Sequence, residues 1–151
     1  MRLKDKVAIV TGSGRGIGEG IVLRFAEEGA KIIVNDVNEE DAANVVNQVK
    51  AKGGQAVAVL GSVSDRPSVQ KMVDTAVKEF GTLDIIVNNA GITRDVILHK
   101  MTDDQWNAVI DVNLTGVFYG IQCAARYMRE KGYGKIINIS STSALGNAGQ
   151  L

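Results

Sequence analysis

The stretch from Thr11 to Gly18, directly after the apolar run at residues 7–10, contains four glycines. The apolar run has the character of a buried strand, and the residues that follow place apolar side chains at helical spacing. A glycine-rich turn at such a junction lets the backbone bend sharply and approach a ligand. The first amides of the helix have no intrahelical partner and lie at the positive end of its dipole, so they suit a pyrophosphate. The stretch predicts a dinucleotide site, with a plain chain turn as the alternative.

An acidic residue, Asp36, follows the second predicted strand, about 20 residues after the glycine-rich turn. A carboxylate at this position can accept hydrogen bonds from the ribose hydroxyls of the adenosine half. It would repel the extra phosphate of NADP, so Asp36 predicts a preference for NAD. The alternative is a polar turn residue, or a cap for the helix that opens at Glu39.

The fourth predicted strand ends in Asn88, Asn89, Ala90 and Gly91. Amide side chains at the carboxyl end of a parallel strand can tie neighbouring strands together. The two small residues leave room for a flat ribose and nicotinamide. This segment predicts the floor of the same crevice, and a simple turn is the alternative.

The glycine spacing Gly-x-x-x-Gly-x-Gly, formed by Gly12, Gly16 and Gly18, differs from the Gly-x-Gly-x-x-Gly fingerprint of the general dinucleotide fold. Together with Asn-Asn-Ala-Gly in register, it resembles the short-chain dehydrogenase/reductase family. The resemblance extends over the whole chain and implies a nicotinamide cofactor. The implied cofactor-binding residues are Gly12, Ser13, Gly14, Arg15, Gly16, Ile17, Gly18, Asp36, Ser62, Val63, Asn89, Ala90 and Gly91.

Two of these positions refine the cofactor that the resemblance implies. Arg15 matches a basic residue of the NADP-using members, so NADP stays open beside NAD. Family members often have an aspartate where this chain has Ser62, and the uncharged serine would weaken one adenine contact. The segment from Gly91 to Asp95 resembles the branch that reduces 3-keto acyl thioesters, which implies a small-molecule substrate held on CoA or on an acyl-carrier protein.

The resemblance implies two catalytic residues and no metal ligand. Asn113, in an apolar helical stretch, matches the asparagine that holds a water of the family's proton relay, and a satisfied structural asparagine is the alternative. Ser141 matches the serine that hydrogen-bonds the substrate carbonyl oxygen, with the register counted from the strand at 135–140. Counting back from the segment at 146–150 points to Ser140 instead, and we choose Ser141.

The family's proton donor is a tyrosine within a Tyr-x-x-x-Lys motif. By the family pattern this motif lies just past Leu151, so we expect the chain to match the N-terminal part of a family domain and to be inactive alone. Tyr127 and Lys131 have the spacing, but they stand at the far end of the helix that contains Asn113, at the wrong edge of the sheet. A nucleotide-binding module without catalysis is therefore the alternative to an oxidoreductase.

The elements that must position these residues alternate along the chain. Predicted strands lie at 7–10, 31–35, 56–60, 85–88 and 135–140, and predicted helices at 16–28, 39–52, 66–80 and 103–129. Near-continuous apolar strands between helices predict a parallel sheet covered on both faces. With right-handed crossovers, residues 1–151 form one α/β domain, a doubly wound Rossmann-type sheet of five strands that lacks the family's C-terminal strands.

Composition sets the class and the compartment. The chain is 45% apolar, with 17 basic and 17 acidic residues, so we expect no nucleic-acid partner. Its single cysteine, Cys123, is expected to be a buried thiol in a reduced protein. The N-terminus lacks a signal-peptide core, and no apolar run approaches membrane-spanning length. We expect a cytoplasmic protein without a membrane partner, and the resemblance implies a homo-oligomer, a dimer or tetramer, at full length.

Overall fold

Strands and helices alternate along residues 1–142, the part of the chain that the computed structural model describes. The strands are β1 (Val7–Val10), β2 (Lys31–Asp36), β3 (Gln55–Leu60), β4 (Ile85–Asn88) and β5 (Lys135–Asn138). The helices are α1 (Gly16–Glu27), α2 (Glu39–Ala51), α3 (Arg66–Phe80), α4 (Asp103–Ile110) and α5 (Gly116–Lys131). A 3₁₀ turn at Leu98–Lys100 precedes α4, and a π-helical turn at Asp111–Thr115 joins α4 to α5.

The five strands form one parallel sheet in the order β3-β2-β1-β4-β5. In the centre, Ile9 of β1 lies opposite Ile33 of β2 on one side and Ile86 of β4 on the other. The chain moves outward from β1 to β3 and then returns to place β4 on the other side of β1. In open α/β sheets, the crevice at such a reversal lies outside the carboxyl ends of the strands and binds ligands.

Helices cover both faces of the sheet, because alternate strand residues point to opposite sides. Val7 and Ile9 belong to the apolar core that α3 and α5 cover. Ala8 and Val10 belong to the second core, which α1 and α2 cover. The predicted doubly wound α/β sheet is confirmed.

The bounds of β2, β3, α1 and α2 each differ from the predicted ones by one residue, and two elements show larger differences. β5 ends at Asn138 rather than at residue 140, although the Ile139 amide still donates to the Asn88 carbonyl (3.0 Å). The helix predicted at 103–129 continues to Lys131, and its ladder loosens at the π-helical turn, where the Gly116 amide bonds the Asp111 carbonyl.

The continuous helical stretch Asp103–Lys131 has 29 residues and is long and apolar enough to cross a membrane by length and composition. The expectation that no segment reaches this length is therefore wrong. Its second half packs on the sheet, where Gly120, Cys123 and Ala124 are buried. Core helices of soluble proteins pass the same test, so the stretch is weak evidence for a membrane span.

Close packing of α5 on β4 depends on one glycine. A Cβ atom on Gly120 would overlap Oδ1 of Asn88, a buried residue at the end of β4. Asn88 in turn donates through Nδ2 to Oδ1 of Asn138 on β5 (2.8 Å). This bond confirms that an asparagine side chain at the end of β4 ties neighbouring strands together, as the sequence predicts.

Candidate functional site

A cleft of about 430 Å³ opens at the carboxyl ends of the strands, at the reversal between β1 and β4. Of the predicted cofactor-binding residues, those that line it are Gly12, Arg15, Gly16, Ile17, Gly18, Asp36, Ser62, Val63, Asn89, Ala90 and Gly91. Sequence reasoning missed a second set, consisting of Asn35, Val37, Gly61, Ile92 and Val112. Most of the missed residues are next in sequence to a predicted one. Val112, beside Asn113, lines the cleft from the π-helical turn.

The glycine-rich loop follows β1 and forms one wall of the cleft. Gly12 and Gly16 have φ values of 57° and 60°, in the left-handed region that favours glycine. A Cβ on Gly12 would lie 2.7 Å from the Ala90 Cα, and one on Gly18 would overlap the Gly12 carbonyl oxygen. Glycine is therefore required here for two reasons, a backbone conformation and the close approach of two loops.

The N-terminus of α1 differs from those of the other helices that follow a loop. Side chains cap α2, α3 and α4, through Asn38, Asp65 and Thr102 respectively. At α1 the cap position is Arg15, whose side chain makes no capping hydrogen bond. No side chain in the described part of the chain thus caps α1, and this helix end beside the cleft suits an anionic group.

Ser13 lies behind the wall of the cleft, not in it. Its side chain is fully buried; Oγ donates to the Val10 carbonyl (2.8 Å) and accepts from the Asn35 amide (3.2 Å). The Ser13 amide also donates to the Asn35 carbonyl (2.8 Å). This side chain therefore fastens the loop to β2, and a contact of Ser13 with the cofactor stays a prediction. Gly14 is also buried outside the lining.

Asp36 stands at the end of β2, and backbone amides surround its carboxylate. Oδ2 accepts from the Gly14 amide (2.9 Å), and Oδ1 accepts from the amides of Val37 (2.8 Å) and Asn38 (3.1 Å). The alternative of a turn-stabilising residue is therefore part of its role. Because Asp36 also lines the cleft, it is available to a ligand there.

Thr11 and Asn89 fix the two loops of the cleft to each other. The Thr11 hydroxyl accepts from the amides of Asn89 (3.0 Å) and Ala90 (3.1 Å). Asn89 Nδ2 donates to the carbonyls of Thr11 and Gly12, both at 2.9 Å. The sequence alone assigned Thr11 no role, because its partners Asn89 and Ala90 come from a segment far along the chain.

Ser62 and Val63 form the side of the cleft beyond β3. The Ser62 hydroxyl lies 2.7 Å from that of Ser64 and accepts from the Ser64 amide (3.2 Å). Val63 packs so closely under the helical stretch that a Cβ on Gly116 would lie 2.7 Å from its Cγ2. The side of the cleft is thus joined to the start of α5.

Asn113 lies within the π-helical turn and binds the backbone of Ile92 through both ends of its amide. Oδ1 accepts from the Ile92 amide (2.8 Å), and Nδ2 donates to the Ile92 carbonyl (2.9 Å). The Asn113 amide is thus hydrogen-bonded within the fold, as expected for the alternative of a structural asparagine. The residue does not line the cleft, but it holds Ile92, which does. A role in a proton relay stays a prediction.

Ser140 and Ser141 are exposed and follow β5, at the sheet edge where the cleft opens. Neither lies among the residues that line the cleft. The segment at 146–150, from which the other register was counted, lies outside the described residues. The choice of Ser141 stays a prediction.

Tyr127 and Lys131 lie at the opposite edge of the sheet from the cleft. Lys131 Nζ donates to the Leu83 carbonyl and to Oδ1 of Asp84, both at 2.6 Å, just before β4 begins at Ile85. The placement for which we rejected this Tyr-x-x-x-Lys pair, at the edge of the sheet away from the cleft, is thus observed, and its lack of a catalytic role stays a prediction. Burial raises the pKa of Asp84, but the bonds from Lys131 and the Val7 amide outweigh it and hold the pKa below its ordinary value.

A parallel sheet reversed at β1 and β4, with a glycine-rich turn in the crevice, defines a Rossmann-like domain. The family model for short chain dehydrogenase matches residues 6–150, and the chain belongs to this family. A crystal structure of a short chain dehydrogenase from Mycobacterium avium superposes with a TM-score of 0.90 at 39% identity, covering 95% of this chain and 55% of that one.

Curated relatives include two enzymes with the same printed name, 3-oxoacyl-[acyl-carrier-protein] reductase FabG. The one from Thermotoga maritima is 40% identical over 99% of this chain and 61% of the relative. The one from Staphylococcus aureus is 48% identical over 96% of this chain and 60% of the relative. The chain thus spans about three-fifths of the length of these relatives.

Proposed function

We propose that this chain forms the cofactor-binding part of an oxidoreductase that moves a hydride between a nicotinamide dinucleotide and a 3-keto or 3-hydroxy acyl thioester. The observation that carries the proposal is the cleft, in which the uncapped end of α1, Asp36 and the Asn89–Gly91 segment face one space. The names of the Thermotoga and Staphylococcus relatives support the thioester substrate.

The residues present fit a dinucleotide. Gly16 lines the cleft, and a Cβ there would meet nothing within 4 Å, so the loop leaves open space in front of the α1 amides. The pyrophosphate would lie there, the adenosine ribose beside Asp36, and the nicotinamide half near Ala90 and Gly91. When bound, the nicotinamide would accept or donate the hydride. The chain's own contribution is to hold and orient it through these loops.

We propose NAD as the preferred cofactor because a carboxylate, that of Asp36, lines the cleft at the place proposed for the ribose. Asp36 is the one acidic residue among the described residues that line the cleft, and the acidic first turn of α2 at Glu39, Glu40 and Asp41 lies outside the lining. Among the cleft-lining residues of the described part of the chain, Arg15 is the one cation, and it is exposed. A carboxylate in the lining of the cleft disfavours an additional phosphate on the ribose.

The proposal is tested by measuring turnover and binding separately in the purified complete protein, because the 151-residue chain alone is expected to be inactive. Acetoacetyl-CoA is added with NADH or NADPH, and the loss of reduced-nicotinamide absorbance is followed; titration of each nucleotide by its own fluorescence gives the affinity. We expect thioester-dependent oxidation, faster with NADH. Asp36→Ala should narrow or reverse the preference, while Asp36→Asn keeps the size, removes the charge and retains one of the two acceptor oxygens. A clear NADPH preference of the unchanged protein would contradict the assignment.

A second candidate function is a nucleotide-binding module without catalysis. One observation favours it: within residues 1–142, the Tyr-x-x-x-Lys spacing occurs at Tyr127 and Lys131, which lie at the wrong edge of the sheet. Tight nucleotide binding with no thioester-dependent oxidation would support this candidate over the enzyme.

We further propose an acyl-CoA or acyl-carrier-protein thioester as the partner and a homo-oligomer as the assembly. We also propose a reducing, cytoplasmic location, which the buried free thiol of Cys123 supports.

A further inference from the structure

Gly14 occupies a position where glycine is needed for space rather than for backbone conformation. Its φ lies outside the left-handed region that Gly12 and Gly16 adopt. The residue is buried, and a Cβ there would lie 2.7 Å from the Cβ of Asp41 and 2.9 Å from Oδ2 of Asp36. Two acidic residues from different elements therefore close on this one backbone position.

The Asp36 carboxylate is held in one orientation by its backbone partners. A carboxylate offers about four acceptor sites, and the amides of Gly14, Val37 and Asn38 use three of them. About one site is left for a ligand hydroxyl. Where that site points depends on the Gly14 amide, since this bond joins the carboxylate to the loop across the cleft wall.

We propose that Gly14 is a specificity-determining position of the nucleotide site, which lets the glycine-rich loop close on Asp36 and so aims this carboxylate at the adenosine ribose. Gly14 itself does not line the cleft, so it acts as a positioning residue. The inference rests on the proposed function, because it presumes that the cleft binds NAD through Asp36.

Any side chain at position 14 would push the glycine-rich loop, Asp36 and Asp41 apart. The first turn of α2 resists displacement, because the Asp41 amide is held by Oδ1 of Asn38 (3.1 Å). Either the loop retreats from α2 or the Asp36 side chain rotates away, and in both cases the bond between the Gly14 amide and Oδ2 is lost. The ribose contact then weakens, and so does the repulsion of a phosphate on the ribose.

The experiment compares Gly14→Ala with Gly20→Ala in the purified protein, by fluorescence titration with NADH and NADPH. Gly20 is an exposed helical glycine of α1 with nothing within 4 Å of an added Cβ, so its substitution is a matched control. We expect Gly14→Ala to weaken NADH binding about tenfold, the effect of one charge-assisted hydrogen bond, and to change NADPH binding less than about threefold. Gly20→Ala should leave both affinities unchanged.

A double-mutant cycle tests whether Gly14 acts through Asp36. In the Asp36→Ala background, Gly14→Ala should leave the ratio of NADH to NADPH affinity unchanged, even if contact with Asp41 lowers both affinities together. Equal losses for both nucleotides in the Gly14→Ala single variant would show a general collapse of the loop and overturn the inference. A full additional change of the ratio in the Asp36→Ala background would overturn it as well.

The unchanged protein separates this inference from the proposed function. If it binds NADH more tightly than NADPH and Gly14→Ala keeps the same ratio, the inference fails and the proposed function stands. If it binds neither nucleotide or prefers NADPH, both fail. A thermal melt of each variant establishes that the titrations are made on folded protein.

Discussion

Asp36 serves the fold and the proposed site through the same atoms. Its carboxylate accepts three backbone hydrogen bonds, from Gly14, Val37 and Asn38, and thereby shapes the turn into α2. The same carboxylate lines the cleft. A substitution of Asp36 therefore changes loop geometry as well as charge, which is why the isosteric asparagine is needed beside the alanine variant.

At the residue scale, the serines after β5 give a test of the catalytic register. We expect Ser141→Ala to lower turnover about 10²–10³-fold in the active protein, as for the loss of a donor to a developing oxyanion. Nucleotide affinity should stay nearly unchanged, since neither serine lines the cleft. Steady-state kinetics with acetoacetyl-CoA and nucleotide titration measure the two effects.

Ser140→Ala is the matched control for that measurement. It removes a hydroxyl one position earlier on the same exposed segment, and it should have a much smaller effect on turnover. Equal losses for the two variants, or a larger one for Ser140→Ala, would show that the register counted from residues 146–150 is the correct one.

A second residue-scale prediction concerns Asp84, which is 6% exposed and bonded to Lys131 and the Val7 amide. Asp84→Asn should lower the free energy of unfolding at neutral pH by about 1–3 kcal/mol, because a charge-assisted bond is lost and Lys131 keeps its charge. Urea unfolding measures this difference. Glu27→Gln, which alters only exposed ion pairs, should change it by less than about 1 kcal/mol.

The same bond gives Asp84 a defined pH dependence. The pKa of Asp84 is lower in the folded than in the unfolded state, where it is about 3.9. Its stabilisation is therefore fully present above that pH and is lost as the pH falls through the folded-state pKa. The stability difference between the unchanged protein and Asp84→Asn should shrink on acidification. A difference that is constant from neutral to strongly acidic pH would contradict the assignment.

At the scale of elements, the two ends of the sheet are built for different tasks. At the carboxyl edge, α1 begins without a side-chain cap and faces the cleft. At the amino edge, Lys131 at the end of α5 binds the segment before β4 and satisfies its polar groups. The uncapped helix end therefore lies at the edge where a ligand would supply the missing partner.

The packing of α5 on β4 predicts a strong effect of one methyl group. Gly120→Ala places a Cβ against Oδ1 of Asn88, so α5 must move or the bond from Asn88 to Asn138 must break. We expect destabilisation of about 1–3 kcal/mol, the usual range for overpacking. Gly20→Ala on α1 should be neutral or slightly stabilising, because alanine favours a helix. Thermal melting that ranks both substitutions equally would contradict this packing.

At the scale of the whole molecule, the central strands of the sheet are buried and the edge strand β5 is not. The central strands β1 and β4 are buried throughout, whereas every residue of β5 is exposed. Ile136 and Ile137 point to opposite faces and are 37% and 41% exposed. In the described residues β5 pairs only with β4, so its outer edge presents unpaired backbone groups beside apolar side chains.

We therefore expect the 151-residue chain, made alone, to self-associate through β5. Light scattering over a range of concentrations should show growing particles, and Ile137→Lys should reduce them, since a charge on an edge strand opposes pairing. Ile97→Lys changes a comparably exposed apolar residue away from the sheet and should have little effect. A monodisperse monomer at all concentrations would contradict the prediction.

The sequence by itself determined the order of strands and helices and most of the cleft lining. Strand and helix periods are local, so the boundaries of β1, β4 and α3 match the predicted ones. Parallel pairing then brings the carboxyl ends together, which is why the glycine-rich turn, Asp36 and the Asn89–Gly91 segment meet in one cleft.

Only the tertiary structure decided which face each of these residues presents. Ser13 and Gly14 stand among the cleft residues in sequence, yet both are buried behind the wall, and Asn113 is bound to the backbone of Ile92. The partners of Ser13 and Gly14 come from β2 and α2, and that of Asn113 from the loop after β4. No window of sequence contains both sides of such a contact, because the space at Gly14 is set by how closely two other elements approach it.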